Sequence, residues 1–261
     1  MRISRDRFAS VRDNLYPIDV HQLPLPVTGC KRRPRGDTLR IAILIPALNE
    51  AQSLPGLYAE IPQVERVVVI DNGSDDDTAE VATRLGAEVV HAPRRGYGTA
   101  VLAGMAHLER DPPDVVVILD ADGADPADRL DELVGPIRED HADLVMSDRT
   151  THAEPGSLTR TQRAGNRLAT KLISWQTGYR YRDMGPFRAI RWSSLVSLQM
   201  SDPTWGWNVE MQMKAVQHRL RVLEIPLPYR RRMRGQSKIS GSLSGAIRAG
   251  YRILQAVHRY R

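Results

Sequence analysis

The feature that most constrains the fold of this chain is a regular alternation of short β-branched runs with helical stretches, which starts at Arg40. The runs with the length and apolar character of buried strands are Ile41 to Ile45, Arg66 to Ile70, Glu88 to Val90, Val115 to Leu119 and Leu144 to Met146. The helical patterns are Ser53 to Glu60, Thr78 to Leu85, Gly98 to Arg110 and Ala127 to Glu139. This order predicts an α/β domain with a doubly wound, mostly parallel sheet flanked by helices.

Polar residues follow three of the predicted strands at the point where each strand ends. The first strand leads into Asn49 and Glu50, and the second leads into Asp71. The fourth leads into Asp120 and Asp122. Ligands of open α/β sheets bind beyond the carboxyl ends of the strands. We therefore expect these three strand ends to form one site.

Asp120-Ala121-Asp122, directly after an apolar strand, is the strongest chemical signal in the chain. Two carboxylates one residue apart at a strand end can face one divalent cation, and Mg²⁺ or Mn²⁺ is usually held by such oxygen ligands. The cation would neutralise charge on a leaving diphosphate. The structural alternative is an acidic turn that caps the next helix, since aspartate is a favoured capping residue.

The turn after the second predicted strand runs from Asp71 to Thr78 and is rich in aspartate. Because Gly73 is free to adopt positive φ and Thr78 suits a helix start, the turn by itself is explained as a strand-to-helix connection. The functional interpretation is that Asp71 accepts a hydrogen bond from the base or ribose of a nucleotide. Further along, Gly96-Tyr97-Gly98 would let the backbone approach a ligand closely before a helix begins.

Charge is distributed unevenly along a chain whose net charge is +6. Residues 1–150 carry 17 Lys/Arg against 26 Asp/Glu, whereas residues 151–261 carry 20 against 5. A basic half indicates an anionic partner, which can be nucleic acid, an acidic membrane surface or a phosphorylated substrate. Aromatic residues make up only 5% and are not interleaved with the basic ones as a base-stacking platform. We therefore expect no nucleic-acid partner.

The cysteine content and the short apolar runs argue against a disulfide-bonded, a secreted or a membrane-spanning protein. Cys30 is the single cysteine, which excludes an intramolecular disulfide and a CxxC site and fits a reducing compartment. Residues 1–20 lack the apolar region of a secretory signal, and the longest apolar runs are far shorter than the roughly 20 residues of a spanning helix. We predict a cytoplasmic protein, with peripheral attachment at the inner face of the membrane as an option.

Four motifs in this order resemble the inverting family 2 glycosyltransferases of the GT-A fold: Pro46-x-x-Asn49-Glu50, Asp71-x-Gly73-Ser74-x-Asp76-x-Thr78, Gly96-x-Gly98-x-Ala100 and Asp120-Ala121-Asp122. The dolichyl- or polyprenyl-phosphate mannose and glucose synthases have a C-terminal signature that looks like Ile225-Pro226-Leu227-Pro228-Tyr229 followed by Arg232, Gly235, Ser237 and Lys238. The resemblance implies transfer of a hexose from a GDP- or UDP-linked donor, with Mg²⁺ or Mn²⁺, and favours a polyprenyl phosphate as acceptor.

The resemblance also implies roles for individual residues. Nucleotide-sugar contacts would come from Pro46, Asn49, Glu50, Asp71, Gly73, Ser74, Gly98, Asp120 and Ala121. The metal ligands would be Asp120, Asp122 and Asp125, and the catalytic residues would be Asp122, Arg149, Glu210 and Arg232. Acceptor contacts would come from Arg163, Asn166, Ser237 and Lys238.

The chain departs from the family pattern at several positions. Asn72 stands where many relatives carry aspartate, and Ala124 stands where the mannose synthases commonly place glutamine as a further metal contact. Asp125 is the residue that would compensate for the missing glutamine.

A second enzyme class, the sugar-phosphate nucleotidyltransferases, is disfavoured. Such an enzyme would need a glycine-rich loop with a basic residue where this chain has Pro46 to Glu50.

The acceptor decides whether a general base is needed. A polyprenyl phosphate is already an anionic nucleophile at neutral pH, so a general base is not obligatory. The candidates to orient the acceptor phosphate and the donor diphosphate are then Arg149, Arg163, Arg232 and Lys238. A soluble hydroxyl acceptor, such as a metabolite or glycan, must lose a proton, and Glu210 or Asp183 is the candidate base.

We divide the chain into a lead-in arm at residues 1–39, a catalytic domain at residues 40–240 and a basic amphipathic helix at residues 241–261. Within the catalytic domain, residues 40–150 form the donor half and residues 151–240 the acceptor half. The apolar residues of the final helix recur every three or four positions: Leu243, Ile247, Tyr251 and Leu254. That helix either attaches to an anionic membrane or packs on the sheet or on a partner subunit, which leaves a homo-oligomer open.

Overall fold

The computed structural model describes residues 39–233, 255–257 and 259–260, which belong to one compact unit of residues 34–261. The other unit, residues 1–33, lies outside the described residues, and so does most of the predicted lead-in arm. The predicted acceptor contacts Ser237 and Lys238 and the apolar residues predicted for the C-terminal helix, Leu243, Ile247, Tyr251 and Leu254, also lie outside them.

The described part of the chain alternates strands and helices as predicted. Its strands are β1 Ile41–Ala47, β2 Arg66–Asp71, β3 Glu88–His91, β4 Val115–Ile118, β5 Leu144–Ala153, β6 Arg188–Arg191 and β7 Val222–Tyr229. Its α-helices are α1 Leu54–Glu60, α2 Thr78–Arg84, α3 Tyr97–Leu108, α4 Leu130–Arg138, α5 Arg160–Thr177, α6 Trp192–Ser197 and α7 Gly206–Gln217. A short 3-10 helix, Ala127–Arg129, precedes α4. Each of the five predicted strands and four predicted helices is present.

The strands form one seven-stranded sheet in the order β3-β2-β1-β4-β6-β5-β7. β1 runs parallel to β2 and β4, β2 runs parallel to β3, and β5 runs parallel to β7. Ala47 at the end of β1 pairs with Asp71 at the end of β2, and Leu44 pairs with Ile118 of β4. The register therefore places the polar residues after β1, β2 and β4 at the same edge of the sheet, as expected.

The sheet is mixed because β6 runs antiparallel to both β4 and β5. β6 has only four residues and includes two arginines, so its sequence does not resemble a buried strand. β7 contains Pro226 and Pro228, and it tolerates them because it lies at the edge of the sheet. Both strands therefore lacked the apolar run by which the others were predicted.

Two hydrophobic layers cover the two faces of the sheet. Along β1, Ala42 and Leu44 belong to one layer while Ile43 and Ile45 belong to the other. This alternation follows from the two-residue period of a strand, and a strand apolar at every position is buried on both faces. β1 is accordingly covered on both of its faces.

Among residues 39–233 and the short described segment near the C-terminus, no helix has both the length and the apolar character needed to cross a bilayer.

Candidate active site

The loops that follow β1 and β2 are held together by reciprocal hydrogen bonds. The Asn49 backbone N–H donates to the Ser74 hydroxyl at 2.9 Å, and the Asp75 N–H donates to the Asn49 side-chain oxygen at 2.7 Å. Asn49 has a φ of 53°, a left-handed conformation in which asparagine is enriched. Asn49 and Ser74, both predicted to contact the nucleotide, therefore also brace the two loops against each other.

Asp71 ends β2 with a side chain that is only 11% exposed. Its carboxylate accepts a hydrogen bond from the Ser74 N–H at 3.0 Å and lies 3.3 Å from His91 Nδ1. Burial would raise the pKa of Asp71, but the hydrogen bonds from Ser74 and His91 outweigh burial and lower it. Gly73 has a φ of 80°, which a glycine adopts without strain. Asp71 is thus an ionised acceptor suited to a ribose hydroxyl or a base N–H.

Asn72, the departure from the family pattern, has a structural contact in this chain. Its side-chain oxygen accepts a hydrogen bond from the Gly96 N–H at 3.1 Å. This hydrogen bond ties the loop after β2 to the segment that starts α3. The Asn72 side chain therefore holds these two segments together.

Gly98 in α3, which was predicted to contact the nucleotide sugar, contacts protein backbone in the structure. Its N–H donates to the Thr204 carbonyl at 3.2 Å, and the Thr99 N–H donates to the Pro203 carbonyl at 3.0 Å. A Cβ at position 98 would collide with the Asp202 carbonyl oxygen and come within 2.9 Å of the Pro203 carbonyl carbon. The missing side chain lets α3 dock on this loop.

We expect Gly98→Ala to destabilise the protein by about 1–3 kcal/mol, the usual cost of overpacking a filled site. The matched control is Gly165→Ala in α5, where a new Cβ meets nothing within 4 Å. That control should stabilise the fold by up to about 1 kcal/mol, since alanine favours a helix more than glycine does. Urea unfolding followed by circular dichroism measures both, and equal effects at the two positions would contradict the packing role.

Arg232 joins the loops after β1 and β4. Its Nη1 donates to Glu50 Oε1 at 2.7 Å, and its Nη2 lies 3.3 Å from Asp122 Oδ2. Glu50 is only 7% exposed and also accepts a hydrogen bond from the Ser53 hydroxyl at 3.1 Å. The structure therefore brings three predicted site residues from distant parts of the chain into one ion-pair network.

Asp120 and Asp122 form the acidic pair at the end of β4. Burial and the nearby negative charge of Asp122 raise the pKa of Asp120 to about 7. Asp122 accepts a hydrogen bond from the Ala124 N–H at 3.0 Å, which fixes its orientation. A partly buried carboxylate pair under mutual repulsion fits a divalent cation, because a bound cation would relieve that repulsion.

Asp125 was predicted as a third metal ligand, and this role stays a prediction for the described residues. Within them, no three Asp, Glu, His or Cys side chains converge as a metal-binding group. Asp125 is 1% exposed, and both of its carboxylate oxygens lack a hydrogen-bond partner. Burial raises the pKa of Asp125 well above its ordinary value, and Arg149 is the charge that acts on it most strongly. Asp125 is therefore a buried carboxylate that senses the charge of Arg149 and also those of Asp120 and Asp122.

Arg149 in β5 is oriented by Asp183. Its Nε and Nη2 donate to the two Asp183 oxygens at 2.7 and 3.0 Å, and its backbone N–H donates at 3.0 Å. The guanidinium carbon lies 5.0 Å from the centroid of the Tyr229 ring. Burial would raise the pKa of Asp183, but the charge and hydrogen bonds of Arg149 outweigh it and lower the pKa. Asp183 is committed to positioning Arg149 and is a poor candidate for a general base.

Glu210 in α7 was predicted as a catalytic residue, but its contacts are those of a structural anchor. The carboxylate is fully buried and accepts hydrogen bonds from the backbone N–H groups of Ser201 and Asp202 at 2.8–3.1 Å. It also accepts one from Lys214 Nζ at 2.8 Å. Because protein donors engage both oxygens, Glu210 is not placed to take a proton from an acceptor.

The two described acceptor candidates lie on α5. Asn166 accepts a hydrogen bond from the Met184 N–H at 2.8 Å and donates to the Arg182 carbonyl at 3.4 Å, so it fixes the turn beside Asp183. Arg163 is exposed, and its Nε donates to the Leu158 carbonyl at 3.4 Å. Arg163 is the charged residue of the two, and its side chain is exposed to solvent.

A model of the family described as glycosyl transferase family 2 matches residues 42–195. The chain belongs to glycosyl transferase family 2. An uncharacterised glycosyltransferase of Mycobacterium bovis is 40% identical over 211 residues, covering 79% of this chain and 93% of that protein. A dolichyl-phosphate hexose transferase of Haloferax volcanii is 32% identical, covering 79% of this chain and 89% of that protein.

Solved structures show that the fold is shared. Glucosyl-3-phosphoglycerate synthase from Mycobacterium tuberculosis, in complex with Mn²⁺, uridine-diphosphate and glucosyl-3-phosphoglycerate, has a TM-score of 0.66. It is 22% identical, and the match covers 90% of this chain and 88% of that chain. The predicted family, enzyme class and GT-A fold are thus confirmed.

The family 2 site of this chain also contains a buried arginine for which no role was predicted. Arg188 in β6 is fully buried, and its Nε donates to the Pro186 carbonyl at 3.2 Å. Burial lowers the pKa of Arg188, and the positive charge of Arg188 partly opposes the rise in the pKa of Asp120. No apolar run in the sequence marked Arg188 as buried, and its burial points to a role because charged residues are rarely buried unless they are paired or functional.

Two further residues predicted to contact the donor lie beside the acidic pair or the first loop. Pro46 is within β1, where it pairs with Ile70 of β2. Ala121 is 3% exposed and packs in the hydrophobic layer with Leu119. Neither side chain offers a polar group, so any hydrogen bond from these residues to a donor would involve their backbone.

Proposed function

We propose that this protein is a Mg²⁺- or Mn²⁺-dependent hexosyltransferase that uses a nucleoside-diphosphate sugar and acts, with inversion, on a polyprenyl phosphate. The observation that carries the choice of acceptor is the state of the two candidate bases. Asp183 is paired with Arg149, and Glu210 is engaged by Ser201, Asp202 and Lys214. An acceptor that is already an anion needs no base, which supports a phosphate over a hydroxyl.

The donor would be held at the strand ends. Asp71 would accept a hydrogen bond from the base or ribose. Asp120 and Asp122 would hold a divalent cation, which when bound neutralises charge on the leaving diphosphate. Arg232, anchored by Glu50, adds a guanidinium beside the same position, and guanidinium groups bind phosphate oxygens in a fixed fork geometry.

Arg149 would orient the acceptor phosphate for attack on the anomeric carbon. The Arg149 guanidinium is held in place by Asp183 and by the ring of Tyr229. Because the side chain is already ordered, little conformational entropy would be lost when a phosphate binds. The attacking phosphate oxygen would form the new bond to the sugar as the bond to the nucleoside diphosphate breaks. The similarity to a dolichyl-phosphate hexose transferase supports a lipid phosphate acceptor.

A soluble acceptor is the second candidate, motivated by the glucosyl-3-phosphoglycerate bound to the structural neighbour. Transfer assays with UDP- and GDP-linked hexoses and Mn²⁺ separate the two, using undecaprenyl phosphate in detergent in one arm and 3-phosphoglycerate in the other. We expect glycosylated lipid phosphate and no product in the soluble arm. Product only in the soluble arm would replace the lipid acceptor, and no transfer or donor binding with any nucleotide sugar would refute the proposed function.

A further inference from the structure

α5, residues Arg160–Thr177, is fixed at both ends. The Gln162 N–H donates to the Thr159 hydroxyl at 3.1 Å, and the Thr159 N–H donates to the Gln162 side-chain oxygen at 2.8 Å, which completes a capping box. Gly178 ends the helix with a φ of 74°, the left-handed conformation typical of a helix C-terminus. The direction of each face of α5 is therefore well defined.

One face of α5 packs on the protein and the opposite face presents apolar side chains to solvent. Ala169 and Ile173 are buried, whereas Leu168 is 39% exposed and Trp175 is 80% exposed. Leu168 and Trp175 are seven residues apart, so they lie on the same face about 10.5 Å from each other. Trp175 is the most exposed of the large hydrophobic residues in the described part of the chain. A tryptophan this exposed, with a leucine on the same face, makes this face of α5 a candidate interaction surface.

The charge around this face has a single sign. Residues 155–182 contain six Lys/Arg and no Asp or Glu. At 100° per residue, Arg160, Arg167 and Lys171 lie along one edge of the stripe formed by Leu168 and Trp175. Among the described residues, no carboxylate lies within ion-pair distance of these three side chains. The face therefore combines apolar side chains with positive charge that no carboxylate in the described part of the chain pairs with.

We propose that this face of α5 binds the surface of an anionic phospholipid bilayer. Tryptophan and leucine insert at the boundary between headgroups and acyl chains, while the adjacent basic edge meets anionic headgroups. A cavity of ≈ 390 Å³ beside Trp175 is lined by Lys171, Ser174 and Arg180, among others, and offers two cations and a hydroxyl to a headgroup phosphate. A symmetric contact between two copies is disfavoured, since it would bring two basic edges together.

The proposal is tested with the full chain, without substrate, by co-sedimentation with vesicles. One set is pure phosphatidylcholine, and the other is an equimolar mixture with phosphatidylglycerol. We expect binding to the mixed vesicles, and about tenfold weaker binding for Trp175→Ser because the inserted aromatic is lost. The matched control is Val196→Ser in α6, which removes a side chain that is 46% exposed elsewhere and should leave binding unchanged.

The charge is tested separately by Lys171→Glu. Each basic residue near an anionic surface adds electrostatic attraction to the binding free energy. Reversing one such charge should therefore weaken vesicle binding at least about tenfold. Arg84→Glu, an exposed reversal at the end of α2, is the control with the same change in net charge and should bind like the unaltered protein. Tryptophan fluorescence should shift to shorter wavelength on adding mixed vesicles, and Trp175→Phe should abolish the shift while retaining binding.

Wild-type-like vesicle binding by both Trp175→Ser and Lys171→Glu would overturn the proposal, as would no binding by the unaltered protein. A loss of oligomer mass in Trp175→Ser, with vesicle binding unchanged, would assign the face to a contact between copies. The proposal rests on the proposed function, because this surface would hold the enzyme at the membrane that contains the lipid acceptor. The vesicle measurement itself needs no donor or acceptor. A protein that binds vesicles and fails to glycosylate a lipid phosphate would leave this proposal standing and refute the proposed function.

Discussion

Asp122→Asn should lower the rate of hexosyl transfer on the order of a thousandfold. A bound divalent cation contributes several kcal/mol of transition-state charge stabilisation, and each 1.36 kcal/mol is tenfold in rate. Asp122 is held by the Ala124 N–H and lies beside Asp120 and Arg232, so the amide would occupy the same position without its charge. The measurement is transfer rate against Mn²⁺ concentration at saturating donor.

The control for this prediction is Asp131→Asn, which removes a carboxylate that is 73% exposed and paired with Arg138 at 3.2 Å. It should transfer hexose like the unaltered protein. Calorimetric titration of UDP and GDP adds a second readout, since the Mn²⁺-dependent part of nucleotide affinity should vanish in Asp122→Asn and persist in Asp131→Asn. A variant at Asp122 that keeps both its rate and its Mn²⁺ dependence would refute the metal site at the end of β4.

Asp183→Ala should destabilise the fold by about 3–5 kcal/mol, the usual cost of leaving one partner of a buried ion pair uncompensated. Asp183 is fully buried and accepts hydrogen bonds from Arg149 at three positions and from the Met184 N–H. Urea unfolding at neutral pH measures the loss. Asp131→Ala breaks an exposed pair and should cost at most about 1 kcal/mol.

The pH dependence of the same variant gives an independent check. The pKa of Asp183 is lower in the folded protein, so its contribution is complete at neutral pH and is lost as the pH falls through the folded-state pKa. The difference in unfolding free energy between the unaltered protein and Asp183→Ala should therefore shrink in acid. A difference that stays constant down to the acid transition would mean that the carboxylate charge is not what stabilises Arg149.

The strand order and site location show how far local sequence patterns reach. β1, β2 and β4 were predicted because each is a run of apolar residues long enough to cross a buried sheet. Their polar ends were predicted to meet because parallel neighbours end at one edge. β6 was not predicted, because its arginines look like surface residues until β4 and β5 enclose it.

The sequence by itself determined the α/β architecture, the family and the acidic pair Asp120 and Asp122, because these depend on spacing along the chain. Tertiary structure alone decided which charged groups pair. In the folded protein Asp183 forms an ion pair with Arg149, and Glu210 accepts hydrogen bonds from the backbone at residues 201–202. Gly98 packs against the backbone at residues 202–204. These partners are tens of residues away or follow a turn, and no periodic pattern records such distances. A carboxylate with a free oxygen and one already bonded look the same in sequence, so their roles emerge only when the chain has folded.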